Sequence, residues 1–320
     1  MDDNKRNISI DILKGIGIVL MVLGHINSPL RHFIFSFHMP LFFFVSGYLY
    51  KERGFKTIIT RNFRKILVPY FVTGLFIWFA FIVIYKRYFW GLSLLLGNGS
   101  SPVWDLKDYY VGPLWFLMCF FISILLFHIL NYIKGNIIQL IILLVLFLIS
   151  LCYKQQNGLL PFDLLNAVPA TICLWIGRQL KIEEFRRIAI SNISLVIGMI
   201  VWIICLFFDE LSMASHIYKL PVIDIIGAFY GTVTFYWIGN NFIKRSPLFR
   251  NLLSKIGQFS LVLVAIHSVD FMLNISGGIT KALQLYGWGS FFVEALLKFM
   301  FVYLGYEFII HIPFLKKIYV

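Results

Sequence analysis

The chain is a succession of apolar runs, each about long enough to cross a bilayer as a helix, separated by short gaps into which charge, Gly, Pro and Asn are gathered. A span needs roughly 20 apolar residues, and in hydrocarbon every backbone N–H and C=O has to be satisfied within the segment, so such runs are restricted to helices. The gaps place helices near residues 8–28, 33–50, 66–85, 113–133, 136–153, 164–180, 191–208, 221–243, 256–275 and 288–310. The expected fold is all-α: a polytopic integral membrane protein of about ten transmembrane helices, forming one membrane-embedded domain over residues 1–320. Composition agrees, since 13% of the residues are charged where a soluble domain carries about 25%. The first apolar run has no small-residue cleavage site and continues into a full span, so it is expected to stay as a helix. Cys119, Cys152, Cys173 and Cys205 lie singly in apolar runs, without the spacing of a metal or redox motif.

Sorted into alternate gaps, nineteen Lys and Arg fall on one side, most densely over residues 51–65, and seven on the other, while Lys14 and Lys298 lie within spans. The positive-inside rule then puts both termini, with Lys5 and Arg6, in the cytoplasm of a multi-pass cell-membrane protein. The net charge of +13 is mostly a topological signal, and nucleic acid binding explains it less well.

Ionisable groups inside a bilayer are costly and usually mark a path or a site. Lys14 and His25 are eleven residues apart, three turns plus about 20°, so they share a helix face with about 16 Å between them along the axis. Asp11, one turn before Lys14, is placed to pair with it. The plainer alternative is that Lys14 snorkels to the inner interface and His25 caps the outer end. The second span enters through Phe35-Ser36-Phe37-His38-Met39-Pro40, which brings His38 to the depth of His25. Pro40 is expected to free the carbonyl of Ser36, either in a packing kink or beside a watered cavity, and the matched histidines favour the cavity. In the basic loop, Arg61 and Arg64 are one turn apart and able to present two planar forks to one phosphate, although positive-inside bias accounts for most of these cations.

Several motifs then occur in order: Asp11-x-x-Lys14-Gly with Gly24-His25; Phe37-His38-Met39-Pro40-Leu-Phe with Val45-Ser46-Gly47-Tyr48; Arg61-x-x-Arg64 before Pro69-Tyr70; Gly112-Pro113-Leu114-Trp115-Phe116-Leu117; and His267 late in the ninth span. Together they resemble the membrane acyltransferase type 3 family, in its fucose 4-O-acetylase-like and intercellular-adhesin O-acyltransferase branch, over nearly the whole chain. Most of that family carries an arginine where this chain has Lys14; a lysine is expected of this branch and lacks the two-pronged donor of arginine. No additional esterase-like domain is expected after the tenth span.

The resemblance implies transfer of an acyl group, most often acetyl, to a hydroxyl of a cell-envelope or extracellular sugar or polysaccharide. Cytoplasmic acyl-CoA (acetyl-CoA) would be a co-substrate, with no permanently bound cofactor and no metal. His25 is then expected to be the general base, and His38 to orient it or donate to the developing oxyanion. Lys14 would hold the pantetheine-phosphate part and Arg61 and Arg64 the nucleotide phosphates, in an inner half whose polar residues, Arg178 included, are basic. Asp11, Ser46, Trp115, His267 and Asp270 are expected to bind the acceptor or support the site, beside Asp224 and Glu294 in the outer half. His267 and Asp270 are spaced to share a face of the ninth span, and Glu294 and Lys298 to neutralise each other on the tenth. Gly112-Pro113 suits a helix start, with Trp115 facing an outer vestibule or a neighbouring helix. The outer loop 86–112 offers Tyr88, Phe89, Trp90, Trp104, Asp105, Asp108, Tyr109 and Tyr110, as a sugar-stacking surface or an interfacial aromatic belt. The lipid bilayer, donor and acceptor are the expected partners, with polysaccharide synthesis machinery left open; direct transfer and an acyl-histidine intermediate both remain open. The competing expectation is a polysaccharide or small-solute transporter or flippase, since buried charge and a kinked helix also fit a solute path. A purely structural partner of another membrane enzyme is the third.

Overall fold

The computed structural model describes residues 7–26, 30–100, 102–103, 106–208 and 211–319; Lys5, Arg6, Trp104, Asp105 and the expected end of the first span lie outside them. The described residues form helices and a few isolated bridges, with no strand among them.

Helix α1 (Ile8–Gly24) opens on Asn7, whose side chain accepts from the N–H groups of Ser9 and Ile10 (3.1 and 3.3 Å) and so satisfies donors that have no intrahelical partner. The second expected span is two helices, α2 (Arg31–Phe35) and α3 (His38–Leu49), broken at Ser36 and Phe37. Pro40 lies in the first turn of α3, where no helical bond to the Ser36 carbonyl exists to be lost, so the kink alternative at Pro40 does not apply, and the small cavity holding His25 and His38 is bordered by the neighbouring Met39. Ser36 braces the break instead: its Oγ donates to Phe33 O (2.7 Å) and accepts from Trp202 Nε1 (2.8 Å). Helix α4 (Phe55–Asn62) continues through a π turn (Phe63–Leu67) into α5 (Val68–Tyr85), and α6 (Trp90–Leu96) folds back beside it. A 3-10 turn, Gly112–Leu114, with Pro113 early in it, leads into α7 (Trp115–Leu130). The remaining elements are α8 (Asn136–Asn157), α9 (Leu164–Gln179), α10 (Glu183–Ala189), α11 (Asn192–Phe208), α12 (Pro221–Asn241), α13 (Pro247–Gln258), α14 (Ser260–Leu273), α15 (Ile275–Ala282), α16 (Gly287–His311) and α17 (Pro313–Tyr319).

A helix therefore occupies each segment expected to span. By length and apolarity alone, 5 of the described helices can cross a membrane, or up to 8 if the three bent pairs α10/α11 (59°), α13/α14 (76°) and α16/α17 (111°) each count as one. Helices α1 and α9, at 17 and 16 residues, are slightly shorter. Helices α8 and α11 turn Ile137, Ile141, Leu148, Ile193, Ile197 and Phe207 outward, a continuous apolar exposure that water does not tolerate and lipid does.

In lipid, helices associate through close packing, which small residues permit. A Cβ on Gly47 of α3 would collide with the Leu174 carbonyl of α9, and one on Gly177 of α9 with the Phe44 carbonyl of α3. Gly15 and Gly257 bring α1 and α13 together in the same way, against the backbones of Leu253 and Asp11. These contacts seat α1 and α3, which carry the two histidines, at the centre of the bundle.

Candidate active site

Four cavities share lining residues one with the next, beginning at the basic segment 51–65. Lys56, Thr57, Thr60, Arg61, Arg64 and Lys65 surround an open cavity of about 510 Å³. Arg61, Arg64 and Lys65 are spaced i, i+3, i+4 and share a face, across a π turn, a distortion frequent at functional sites. Lys65 also borders a second cavity, about 210 Å³, lined by Lys14, Phe42, Ser46, Phe116 and Val264 among others. Phe116 in turn borders a third, of only about 40 Å³, which holds His25 and His38 with Met21, Met39 and Met213. His25, Phe35, Pro113 and Trp115 are shared with a vestibule of about 410 Å³, rimmed by Arg31, Ser100, Tyr110 and Ser215.

His25 is the C-cap of α1, and its Nδ1 lies 2.8 Å from the Met21 carbonyl. His38 Nδ1 lies 2.8 Å from the Ile34 carbonyl. A carbonyl only accepts, so in each neutral ring the proton is on Nδ1 and Nε2 carries a bare lone pair. His25 Nε2 is thus free to take a proton. The same tautomer changes the expectation for His38: as a neutral ring it has no N–H left for an oxyanion, and its Nε2 is a buried acceptor without a hydrogen-bond partner among the described residues. The His25 ring packs on His267 (4.9 Å between centroids), Phe271 (5.1 Å) and Phe35 (5.7 Å), and Phe35 packs on His38 (5.1 Å). His267 is fully buried with neither ring nitrogen hydrogen-bonded among the described residues. One of its nitrogens carries an N–H in the neutral ring, which gives the histidine cluster the donor that His38 lacks.

Around this centre, Lys14 Nζ is 3.1 Å from Asp11 Oδ1 and borders the same cavity as Ser46. Trp115 borders both the small cavity and the vestibule. Asp270 faces away from substrate space: Oδ1 accepts from Ser276 N (3.0 Å) and Oγ (2.6 Å), and Oδ2 from Lys298 Nζ (2.8 Å). Lys298 is therefore not simply neutralised by Glu294, which stands farther off at 3.6 Å; the stronger partner comes from a neighbouring helix. Arg178 is engaged by Glu52 (2.5 Å) and is not among the residues lining the basic cavity. Asp224 accepts from the Leu220 N–H (3.0 Å) at the start of α12. Of the outer-loop aromatics, Tyr110 borders the vestibule, Trp90 is buried against Phe81 (5.4 Å), and Tyr88 and Phe89 are exposed.

The wall of the small cavity also includes a hairpin that sequence reading passed over. Ser212 and Ile217 exchange backbone hydrogen bonds (3.1 and 2.9 Å), and Ser212, Met213 and Ala214 face His25 and His38 across the cavity. Ser100 Oγ donates to Ala214 O (2.9 Å). His216 pins the hairpin: its Nδ1–H donates to Asn166 Oδ1 (2.9 Å) and its Nε2 lies 3.1 Å from Ser150 Oγ, whose own proton goes to the Phe147 carbonyl (2.7 Å), while Asn166 Nδ2 donates to Asp163 Oδ1 (2.7 Å). Burial lowers His216 to about 4, so the ring is neutral. Its partners are 50 and 66 residues away, and an unpaired histidine in an outer loop was the only signal available.

The fold and site define a class: a polytopic, all-helical membrane protein with neighbouring cavities that share lining residues, one of them basic and another lined by His25 and His38. A profile of the acyltransferase domain family matches residues 7–311, and the chain belongs to that family. Among its relatives are the nodulation protein NolL of Mesorhizobium japonicum, 30% identical over 141 residues, and that of Sinorhizobium fredii, 32% identical over 136. The matched segments cover 40% and 38% of this chain and only 37% and 36% of those relatives. No solved structure matches the chain significantly.

Proposed function

We propose that the protein is a membrane O-acyltransferase that moves an acetyl group from acetyl-CoA, bound at the basic end in the cytoplasm, to a hydroxyl of a sugar in the vestibule at the outer face. The observation that carries this reading is that a basic cavity and a histidine cavity each share a lining residue, Lys65 and Phe116, with the cavity of Lys14 and Ser46. Arg61, Arg64 and Lys65 would hold the nucleotide phosphates by charge-assisted hydrogen bonds. The pantetheine arm would extend past Lys14 and Ser46 toward His25. The acceptor hydroxyl attacks the thioester carbonyl, His25 Nε2 takes its proton, the C–S bond breaks, and the leaving thiolate receives the proton, so that free CoA thiol and an O-acyl ester result. His267, through its N–H, is the candidate donor to the developing oxyanion.

The lining of the histidine cavity supports acetyl over succinyl. It contains no cation for a succinyl carboxylate. The vestibule, by contrast, combines aromatic faces (Trp115, Tyr110) with hydroxyls and Arg31, a lining suited to a sugar. Cavities that share lining residues would also serve a solute path; family membership favours transfer. The test is purified protein in proteoliposomes with acetyl-CoA and envelope glycan, following free thiol and O-acetyl ester together. The reading predicts both in equal amounts, and thiol release without ester, or no thiol at all, would sink it.

A further inference from the structure

Between the cavity of Lys14 and Ser46 and the cavity of His25 and His38 stands an aromatic partition. Phe116 of α7 borders both cavities, and Phe42 of α3 borders the first. The two rings lie 5.6 Å apart, tilted at 59°, and both are buried. Phe116 is backed by Phe43 (5.4 Å) and Phe120 (5.4 Å), so it is wedged within a stack along α3 and α7. Phe42 leans the other way, onto α1 at Gly17, where a Cβ would stand 2.9 Å from its Cζ. Gly17 lies between Lys14 and His25 on α1, so the partition crosses the route between the two cavities at the point where α1 has no side chain.

We propose that the Phe42–Phe116 pair is the acyl-selecting gate of the enzyme, and that Phe116 sets which acyl groups reach His25; this rests on the acyl-transfer reading above. A thioester delivered from the basic end has to pass the pair, which yields to a two-carbon group by a ring rotation and obstructs a longer chain. When closed, the pair also keeps vestibule water from a donor waiting beside Lys14. Without it, water can attack the thioester carbonyl: the C–S bond breaks, the carboxylic acid forms, and CoA leaves as the free thiol, with no acceptor consumed.

The experiment compares wild type with Phe116→Ala, Phe116→Leu and Gly17→Ala in proteoliposomes, using acetyl-CoA and butyryl-CoA, with and without acceptor glycan. A methylene in an apolar pocket is worth roughly tenfold or more in discrimination, so Phe116→Ala should raise the butyryl-to-acetyl ratio of kcat/KM by about tenfold or more and increase thiol release without acceptor. Phe116→Leu, which keeps most of the bulk, should do the same to a lesser degree. Gly17→Ala pushes the Phe42 ring into the route and should lower kcat for acetyl-CoA while leaving its KM nearly unchanged. If Phe116→Ala does not fold, the other two variants decide. An unchanged ratio and unchanged coupling in folded Phe116 variants of an active enzyme, or full acetyl turnover by Gly17→Ala, overturns the gate alone. Absence of thiol release from any acyl-CoA by wild type overturns the acyl-transfer reading and the gate with it.

Discussion

Replacing Lys298 with Met should be among the most destabilising single changes at a polar residue of this protein. The ammonium lies 2.8 Å from Asp270 Oδ2 and 3.6 Å from Glu294 Oε1, with side-chain exposures of 4% for Lys298 and 0% for Asp270. Removing one member of a buried pair strands the other charge, at a cost of about 3–5 kcal/mol. Asp270 would keep both Ser276 donors, which places Lys298→Met near the lower figure, about 3 kcal/mol. Asp270→Asn should cost less. Asn retains an acceptor for Ser276 and Lys298 retains Glu294, so the loss is one charged hydrogen bond, about 1.5–3 kcal/mol. In the double variant neither charge is stranded, and its cost should fall short of the sum of the single changes by about 1–3 kcal/mol. Thermal unfolding in detergent micelles, read as the fraction that remains monodisperse, measures all three. Wild-type behaviour of Lys298→Met, or strict additivity in the double variant, would refute the pair as the tie between α14 and α16, and with it the seating of His267 against His25.

Three further outcomes are expected. A cysteine at Glu52 should resist a membrane-impermeant thiol reagent added to intact cells while one at Lys107 reacts; the opposite pattern would reverse the proposed sides. Arg61→Ala with Arg64→Ala should raise KM for the acyl donor far more than it lowers kcat, at about 1.5–3 kcal/mol per lost contact, and an unchanged donor KM would return both residues to topology alone. His216→Ala should raise KM for the acceptor and leave acyl-CoA handling intact, since it unpins a wall of the histidine cavity. Because burial lowers His216 to about 4 while an unfolded histidine titrates near 6.5, the unfolded state binds the extra proton first. The stabilisation is fully present above about pH 6.5 and is lost, by up to about 3 kcal/mol, as the pH falls from about 6.5 toward 4. A stability flat across that window in wild type would contradict the neutral pin.

The spans were legible because each apolar run is interrupted by charge or turn residues, and those interruptions map onto helix ends within a few residues. The Lys14–His25 spacing and the Asp11–Lys14 pair were legible too, since helical periodicity alone determines them. What failed had long-range causes. The break at Ser36 and Phe37 was not legible because the run 33–50 is unbroken in hydropathy, and the Trp202 indole that bonds Ser36 comes from 166 residues away. The Glu294–Lys298 pair, visible as i, i+4 spacing, is present at 3.6 Å, whereas Asp270, the shorter partner, was not legible because the pairing of α14 with α16 that delivers it is not in the local sequence. Lys65 was absorbed into the positive-inside count, although its place at the junction of two cavities depends on how α4 and α5 meet at a π turn. The tautomers of His25 and His38 follow from carbonyls four residues back, which makes them readable in retrospect from helical geometry.

The central claim, that His25 is the base acting on the attacking hydroxyl, is tested most directly by the rate of O-acetyl transfer by His25→Ala in proteoliposomes at saturating acetyl-CoA. With folding checked by monodispersity and donor binding by its KM, the rate should fall on the order of 10² to 10⁴-fold while donor KM stays near wild type. Near-wild-type ester formation by that folded variant would contradict the assignment of His25.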